Sequence, residues 1–187
     1  DCVLIGPGLP RPDGEELGDD STKILTEKLL LKYPEKKWVI DGGSLQVVEP
    51  EIIPKTAIIT PNGKEFEILF RKVILERSDR ISAGSYRSLR SLQDDVVNMA
   101  KKYEITILLK GPVDIVCGPF DSAQGDIRCV QISGGNAGMT KGGTGDVLAG
   151  LVASLYAKND AFLSATAASF INKKAGESLF ERVGLYF

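Results

Sequence analysis

With 187 residues, 43% of them hydrophobic, the chain is long enough for one compact domain around a sizeable core. A net charge of −2 with scattered basic residues leaves no nucleic-acid footprint, and the longest nearly apolar run, Val147 to Ala157, is about half the roughly 20 residues that a membrane-spanning helix needs. Histidine is absent, which removes Ser-His-Asp and Cys-His nucleophilic schemes and every His-ligated zinc site; acid–base work falls to carboxylates, lysine or tyrosine.

Cys2-Val3-Leu4-Ile5 reads as a buried strand, and a domain that opens on an interior strand reads as a fragment. Gly6-Pro7-Gly8-Leu9-Pro10 follows at its carboxyl end, where open parallel sheets bind ligands, although an ordinary Pro/Gly turn has the same composition. Asp19-Asp20-Ser21 starts a helix with Ile24, Leu25, Lys28 and Leu29 at helical spacing, and Pro34 stops it. Trp38 to Asp41 is a second strand, ending in a carboxylate that suits a ligand contact or merely caps the next helix. Ala57 to Thr60 is a third. Thr60-Pro61-Asn62-Gly63-Lys64-Glu65-Phe66 turns it into a helix that buries Phe66, Leu69, Phe70, Val73 and Ile74. Asn62 and Glu65 there are either a capping box or polar groups facing a ligand.

Residues 76–88 read as an exposed connection whose arginines, Arg77, Arg80 and Arg87, are solvated charge, as is Arg90 just after it. A helix is expected over about Ser91–Tyr103, with Leu92, Val96 and Ala100 inward. Ile105 to Leu109 is a near-continuous apolar run, as a strand covered on both faces should be, and ends in Lys110-Gly111. Val113–Cys117 and Ile127–Ile132 form a hairpin around a turn-rich Pro119-to-Gly125 loop. Helices over about Thr144–Ala157 and from Asp160, with Ala161, Ala165, Ala168, Ile171 and Ala175 packing closely, complete the chain. Cys2, Cys117 and Cys129 show no close spacing, and their odd number argues against a disulfide framework and for a reduced, cytoplasmic setting.

Gly134-Gly135-Asn136-Ala137-Gly138-Met139-Thr140-Lys141-Gly142-Gly143-Thr144-Gly145-Asp146 is the most informative stretch, with six glycines in thirteen residues before an apolar helix. Glycines let backbone approach a ligand closely. Amides of Gly142 to Gly145 at a helix N-terminus would form an anion cradle beside the carboxylate of Asp146, a layout suited to phosphoryl transfer. A loop followed by a simple N-cap is the plainer reading. It is not a Walker A loop, because no Gly-Lys-Ser/Thr stands at the required spacing. Strand–helix alternation predicts an α/β domain spanning 1–187, with a mainly parallel sheet and helices on both faces. The loops at Gly6, Asp41, Thr60, Lys110 and Gly142 should then share one sheet edge.

Gly-Pro-Gly-Leu (6–9), Val-Ile-Asp (39–41), Thr-Pro-Asn-x-x-Glu-Phe (60–66), Leu-Lys-Gly (109–111) and Gly-Asn-Ala-Gly-Met…Gly-Gly-Thr-Gly-Asp-Val-Leu-Ala-Gly (135–150) together resemble the ATP- or ADP-dependent NAD(P)H-hydrate dehydratases of the ribokinase-like superfamily. The resemblance implies phosphorylation of the ring hydroxyl of hydrated NADH or NADPH, followed by elimination of phosphate. It makes Asp146 the base, also facing the substrate, and puts Lys110, Gly111, Pro112, Val113 and Asp114 against the nucleotide. Asn136, Ala137, Gly138, Met139, Thr140, Lys141, Gly142, Gly143, Thr144 and Gly145 would line its phosphates, and Gly8 with Thr60, Pro61, Asn62, Gly63, Lys64, Glu65 and Phe66 would face the hydrated cofactor. Lys110 is expected near nucleotide phosphate or ribose, so that its loss weakens nucleotide binding more than the fold. ATP or ADP and Mg2+ are implied, with no evident protein ligand for the metal, and the partners are small molecules rather than nucleic acid or membrane; a homo-oligomer is left open. A small-molecule kinase, or a nucleotide-binding fragment without chemistry, would use the same loop. Departures from the family pattern are Pro10 for glycine, Asp41-Gly42-Gly43-Ser44 for Asp-Ala-Asp-Gly, and Ala137 for proline, and the resemblance implies further terminal segments of the family's domain outside these 187 residues.

Overall fold

The computed structural model describes residues 1–11, 20–71, 73–74, 89–121 and 126–185. The expected polar connection over 76–88 and most of the hairpin turn lie outside them. Strands β1 (Cys2–Ile5), β2 (Lys37–Ile40), β3 (Ile58–Ile59) and β4 (Thr106–Leu109) run parallel in that order. Strands β5 (Asp114–Asp121) and β6 (Asp126–Ile132) then add an antiparallel hairpin. The hairpin strands are longer than expected, because Gly118 and Pro119, and Asp121 beyond a register shift, keep partners on β6.

Among the described residues, the helices that join or follow the strands include α1 (Ser21–Lys32), α2 (Gly42–Leu45), α3 (Gly63–Leu69), α4 (Leu89–Tyr103), α5 (Thr144–Tyr156) and α6 (Ala161–Val183). Strand alternation divides the core between the two faces of the sheet. Trp38, Ile40, Ile107 and Leu109 point to one face, where they meet Leu30, Phe66, Phe70, Val96 and Met99 of the helical layer. Val39, Ile58 and Leu108 point to the other, against Leu148, Val152, Tyr156, Ala165 and Ala168 of α5 and α6. Helices therefore cover both faces, as expected.

Four local expectations need correction. Strand β1 is an edge among the described residues, so Val3 is exposed while Ile5 is buried. Helix α1 turns Thr22, Thr26 and Leu30 inward and leaves Ile24 62% exposed. The Oγ atoms of Thr26 and Ser44 share a 2.8 Å hydrogen bond, and Thr22 Oγ1 donates to the Pro10 carbonyl, so α1 is docked partly by hydroxyls rather than by its largest apolar side chains. In α6 the buried stripe is Ser164, Ala165, Ala168, Ser169, Lys173 and Gly176, whereas Ile171 and Ala175 face outward. Finally, Cys117 and Cys129 are directly opposed across the hairpin, with Cα atoms 4.2 Å apart, and form a disulfide. Such closeness is normal for a non-hydrogen-bonded antiparallel pair; Cys2 is the one free cysteine. Among the described residues, no helix is long and apolar enough to cross a membrane.

Candidate active site

The parallel strands end in a chain of backbone hydrogen bonds that gathers the expected loops. Asp41 N–H donates to Ile5 O, Gly43 N–H to Gly6 O, Thr60 N–H to Ile40 O, and Lys110 N–H to Pro61 O. Gly6 must be glycine: its φ is +112°, and a Cβ there would collide with the Asp41 carbonyl. Gly43 is equally constrained, since its Cβ would lie 2.6 Å from Leu9 O and 2.8 Å from Pro10 O. The departures at Pro10 and Gly43 are therefore in contact, one loop resting on the other.

Asp41 sits in the N-cap position of α2 but makes no side-chain cap bond. Its carboxylate, in a residue only 1% exposed, accepts instead from Lys110 Nζ at 2.7 Å. Glu65 Oε2 stands 3.9 Å from the same ammonium. Glu65 also completes the capping box: Asn62 N–H donates to Glu65 Oε2, and Glu65 N–H donates to Asn62 Oδ1, each at 2.9 Å. Of the two readings of Asn62 and Glu65, the capping box is the one that forms, and the capping acid is also one wall of an ionic cluster. Phe66 is buried and packs edge-on to Phe70, with ring centroids 4.9 Å apart, so its ring anchors α3 in the core. Thr60 is fully buried, and its Oγ1 has no hydrogen-bond partner among the described residues. Pro61 is buried beside it; Gly8, Asn62, Gly63 and Lys64 are exposed.

The glycine-rich loop comes down over this cluster. Gly143 caps α5 in the left-handed region, at φ 92°, with no side-chain cap. Thr144 Oγ1 donates to the carbonyls of Met139 and Lys141, and its N–H points to Lys141 O, which closes the loop behind the helix start. The N–H groups of Gly142, Gly143, Gly145 and Asp146 have no acceptor among the described residues. These are the orphan donors of a helix N-terminus, where an anion is favoured. Asp146 lies in the first turn of α5 and is exposed. A Cβ on Gly145 would lie 3.3 Å from Lys110 Nζ, so the ammonium that Asp41 holds lies directly beneath the cradle.

The last helix backs the loop, which was not legible in the sequence. Asn136 Nδ2 donates to Gly176 O at 2.7 Å while its Oδ1 accepts from Gly138 N–H. Gly135 N–H donates to Glu177 Oε1 at 3.1 Å. The Lys174 ammonium and that amide hold the Glu177 carboxyl below the usual carboxylate range. Met139 packs against Gly176, where any Cβ would strike its Sδ. On the neighbouring turn, Asp114 is buried and turned inward: Oδ1 accepts from Gly111 N–H and Oδ2 from Ser169 Oγ. Gly111, Pro112, Ala137, Thr140 and Lys141 are exposed, and Val113 is half-buried.

Unpartnered amides at a helix start, a neighbouring carboxylate and a half-buried ammonium form an arrangement suited to moving a phosphoryl group. The sequence profile of the NAD(P)H-hydrate dehydratase family matches residues 1–187. The bifunctional NAD(P)H-hydrate repair enzyme Nnr of Methanocaldococcus jannaschii is 34% identical over all of this chain, which spans 30% of that protein. The ADP-dependent (S)-NAD(P)H-hydrate dehydratase of Cenarchaeum symbiosum is 34% identical, again over the whole chain, which spans 57% of it. In fold, the ADP/ATP-dependent NAD(P)H-hydrate dehydratase of Bacillus subtilis, crystallised with ATP and Mg2+, superposes with a TM-score of 0.69 at 20% identity, over 100% of this chain and 60% of that one. The chain thus spans between about a third and three-fifths of these proteins. With its ordered motifs gathered on one sheet edge and the family profile matched from the first residue to the last, the chain belongs to the NAD(P)H-hydrate dehydratase family.

Proposed function

We propose that the protein restores hydrated NADH or NADPH by nucleotide-dependent dehydration. The observation that carries the reading is the cradle itself: orphan amides of Gly142, Gly143 and Gly145 beside Asp146, above the Lys110–Asp41 pair, in a chain of this family. Asp146 takes the proton of the ring hydroxyl as its oxygen attacks the terminal phosphorus of the nucleotide, which leaves one phosphate shorter. The cradle amides hold the equatorial oxygens, and the Lys110 charge below them offsets the charge in transit. The ring nitrogen then expels inorganic phosphate as the C–O bond breaks, and the neighbouring carbon loses a proton to restore the double bond. Phosphate leaves far more readily than hydroxide, so nucleotide cleavage drives the loss of water.

The turn 110–114 and the loop 136–145 would flank the nucleotide; Gly8 and 60–66 would border the hydrated cofactor, with Phe66 acting through its anchoring of α3. The Cenarchaeum relative is named as ADP-dependent, and the Bacillus protein was co-crystallised with ATP and Mg2+. Among the described residues no group of three His, Cys, Asp or Glu side chains is placed to hold a metal. Asp41 and Glu65 already face Lys110 and the Asn62 amide. Magnesium, which supplies charge neutralisation when bound, fits here as an ion carried on the nucleotide phosphates. The test is incubation of the whole protein with hydrated NADH, Mg2+ and either ADP or ATP, following the return of reduced-nicotinamide absorbance. No recovery with either nucleotide refutes the proposal; a stable phosphorylated product would instead identify a kinase.

A further inference from the structure

Helix α6 carries a buried charge that the reaction above does not use. Lys173 is 5% exposed. Its ammonium donates to three backbone carbonyls, those of Gly111 at 3.1 Å, Pro112 at 3.2 Å and Gly134 at 3.3 Å. Asp114 Oδ1 is 3.3 Å away and supplies the counter-charge. An ammonium has three protons, and here three carbonyls receive them. Two of those carbonyls belong to the turn after β4 and the third to the start of the glycine-rich loop, segments separated by more than twenty residues in the chain and brought to one cation.

We propose that Lys173 is a positioning residue: a built-in cation that clamps the 110–114 turn to the 134–138 loop and so fixes the two walls of the nucleotide site. The assignment of those walls to nucleotide rests on the function proposed above. Three features point to positioning rather than to core stability. A buried ion pair adds little stability over an apolar pair of the same volume. The bonds run entirely to backbone of the two segments and not to neighbouring helices. The same stretch of α6 holds the loop twice more, through Gly176 O to Asn136 and Glu177 to Gly135. Asp114 in turn fixes the turn from within, through Gly111 N–H, and is tied to α6 by Ser169. A trans peptide directs its N–H opposite to its C=O, so the pull on Pro112 O turns the Val113 amide away from the ammonium.

The experiment uses the whole protein with Lys173→Ala, Lys173→Arg and the double variant Lys173→Ala/Asp114→Asn, which removes both charges and so spares the fold an unpaired buried carboxylate. Amide hydrogen exchange and the affinity for Mg-ADP and Mg-ATP are measured, with methylammonium chloride or sodium chloride added at equal ionic strength. In the folded double variant, amides of 111–114 and 134–138 exchange faster together. Nucleotide affinity falls about tenfold or more, the equivalent of one charge-assisted hydrogen bond, while KM for the hydrated cofactor holds. Methylammonium, an ammonium able to enter the vacated cage of Lys173→Ala, restores protection and affinity; sodium chloride does not. Protection of both segments as in the parent protein, or unchanged nucleotide affinity in a folded variant, overturns the proposal. A parent protein that binds neither nucleotide overturns the proposed function instead, and the exchange measurement still decides whether the clamp exists.

Discussion

Removing the Lys110 ammonium tests whether the cluster under the cradle is one unit. Lys110→Met keeps the length of the stem and deletes the charge that lies 2.7 Å from Asp41 Oδ1 and 3.9 Å from Glu65 Oε2. At an effective dielectric of about 20, those separations correspond to attractions of about 6 and about 4 kcal/mol before desolvation is subtracted. Most of that is offset by the desolvation of three charges. What remains after truncation is the cost of a buried carboxylate without its cation, about 3–5 kcal/mol. The lysine is itself partly exposed, so the lower end of that range is expected; it is still a large share of the roughly 5–15 kcal/mol that holds a domain together. The assay is urea unfolding of Lys110→Met, Asp41→Asn and the double variant. Lys110→Met should lose about 3 kcal/mol, and the double variant should recover about 2 kcal/mol of that, since asparagine leaves no unpaired charge. A single variant within about 1 kcal/mol of the parent, or a double variant no better than the single, would refute the coupling. The geometry also revises the expectation that losing Lys110 affects nucleotide binding more than the fold: with Asp41 1% exposed, both should fall together.

Four further outcomes are expected. Asp146→Asn should reduce turnover by about 10²- to 10⁴-fold, as for loss of a general base, with at most about 1 kcal/mol of stability from the weakened helix-end interaction; turnover near the parent value, in a protein of normal melting temperature, would remove Asp146 from the reaction. Burial, with Cys2 and Asp160 nearby, pushes the Tyr156 hydroxyl from 10.0 up to about 12. A raised folded value means stability that is complete below pH 10 and lost as pH climbs towards 12, so Tyr156→Phe should flatten that alkaline decline while losing about 1 kcal/mol at neutral pH with its bond to Thr56 O; an unchanged alkaline slope would show that other groups set it. Gly176→Ala should destabilise by about 1–3 kcal/mol despite alanine's better helix propensity, because the new methyl meets Met139 Cγ at 2.8 Å, and unfolding at or above the parent midpoint would contradict that packing. Reduction of Cys117–Cys129, which closes a short loop of separation 12, should lower stability by about 2–3 kcal/mol; coincident unfolding curves with and without reductant would show that the loop is not constrained in the unfolded chain.

Local pattern determined a good deal of this protein. Strand–helix alternation gave the mainly parallel sheet, the Thr60–Phe66 motif gave the capping box, and the crowded glycines gave a left-handed cap with orphan amides, because each depends on residues within a few positions of one another. Face assignment was less secure. In α1 the helical spacing runs through Ile24, Leu25, Lys28 and Leu29, yet the inward face is Thr22, Thr26 and Leu30, since the Pro10 carbonyl and the Ser44 hydroxyl offer partners to the two threonines. The disulfide was within reach: Cys117 and Cys129 stand opposite each other in the expected hairpin, and assigning its register would have paired them. Counting cysteines carries no such geometry. The Asp41–Lys110 contact and the Lys173 cage were out of reach. Their partners lie 69 and 39 to 62 residues apart, and nothing near Lys173 in the chain distinguishes it from the exposed Lys174 beside it. Burial, which makes an ammonium seek every acceptor around it, is created only when α6 docks on the sheet, so the roles of these charges were decided by the tertiary structure alone.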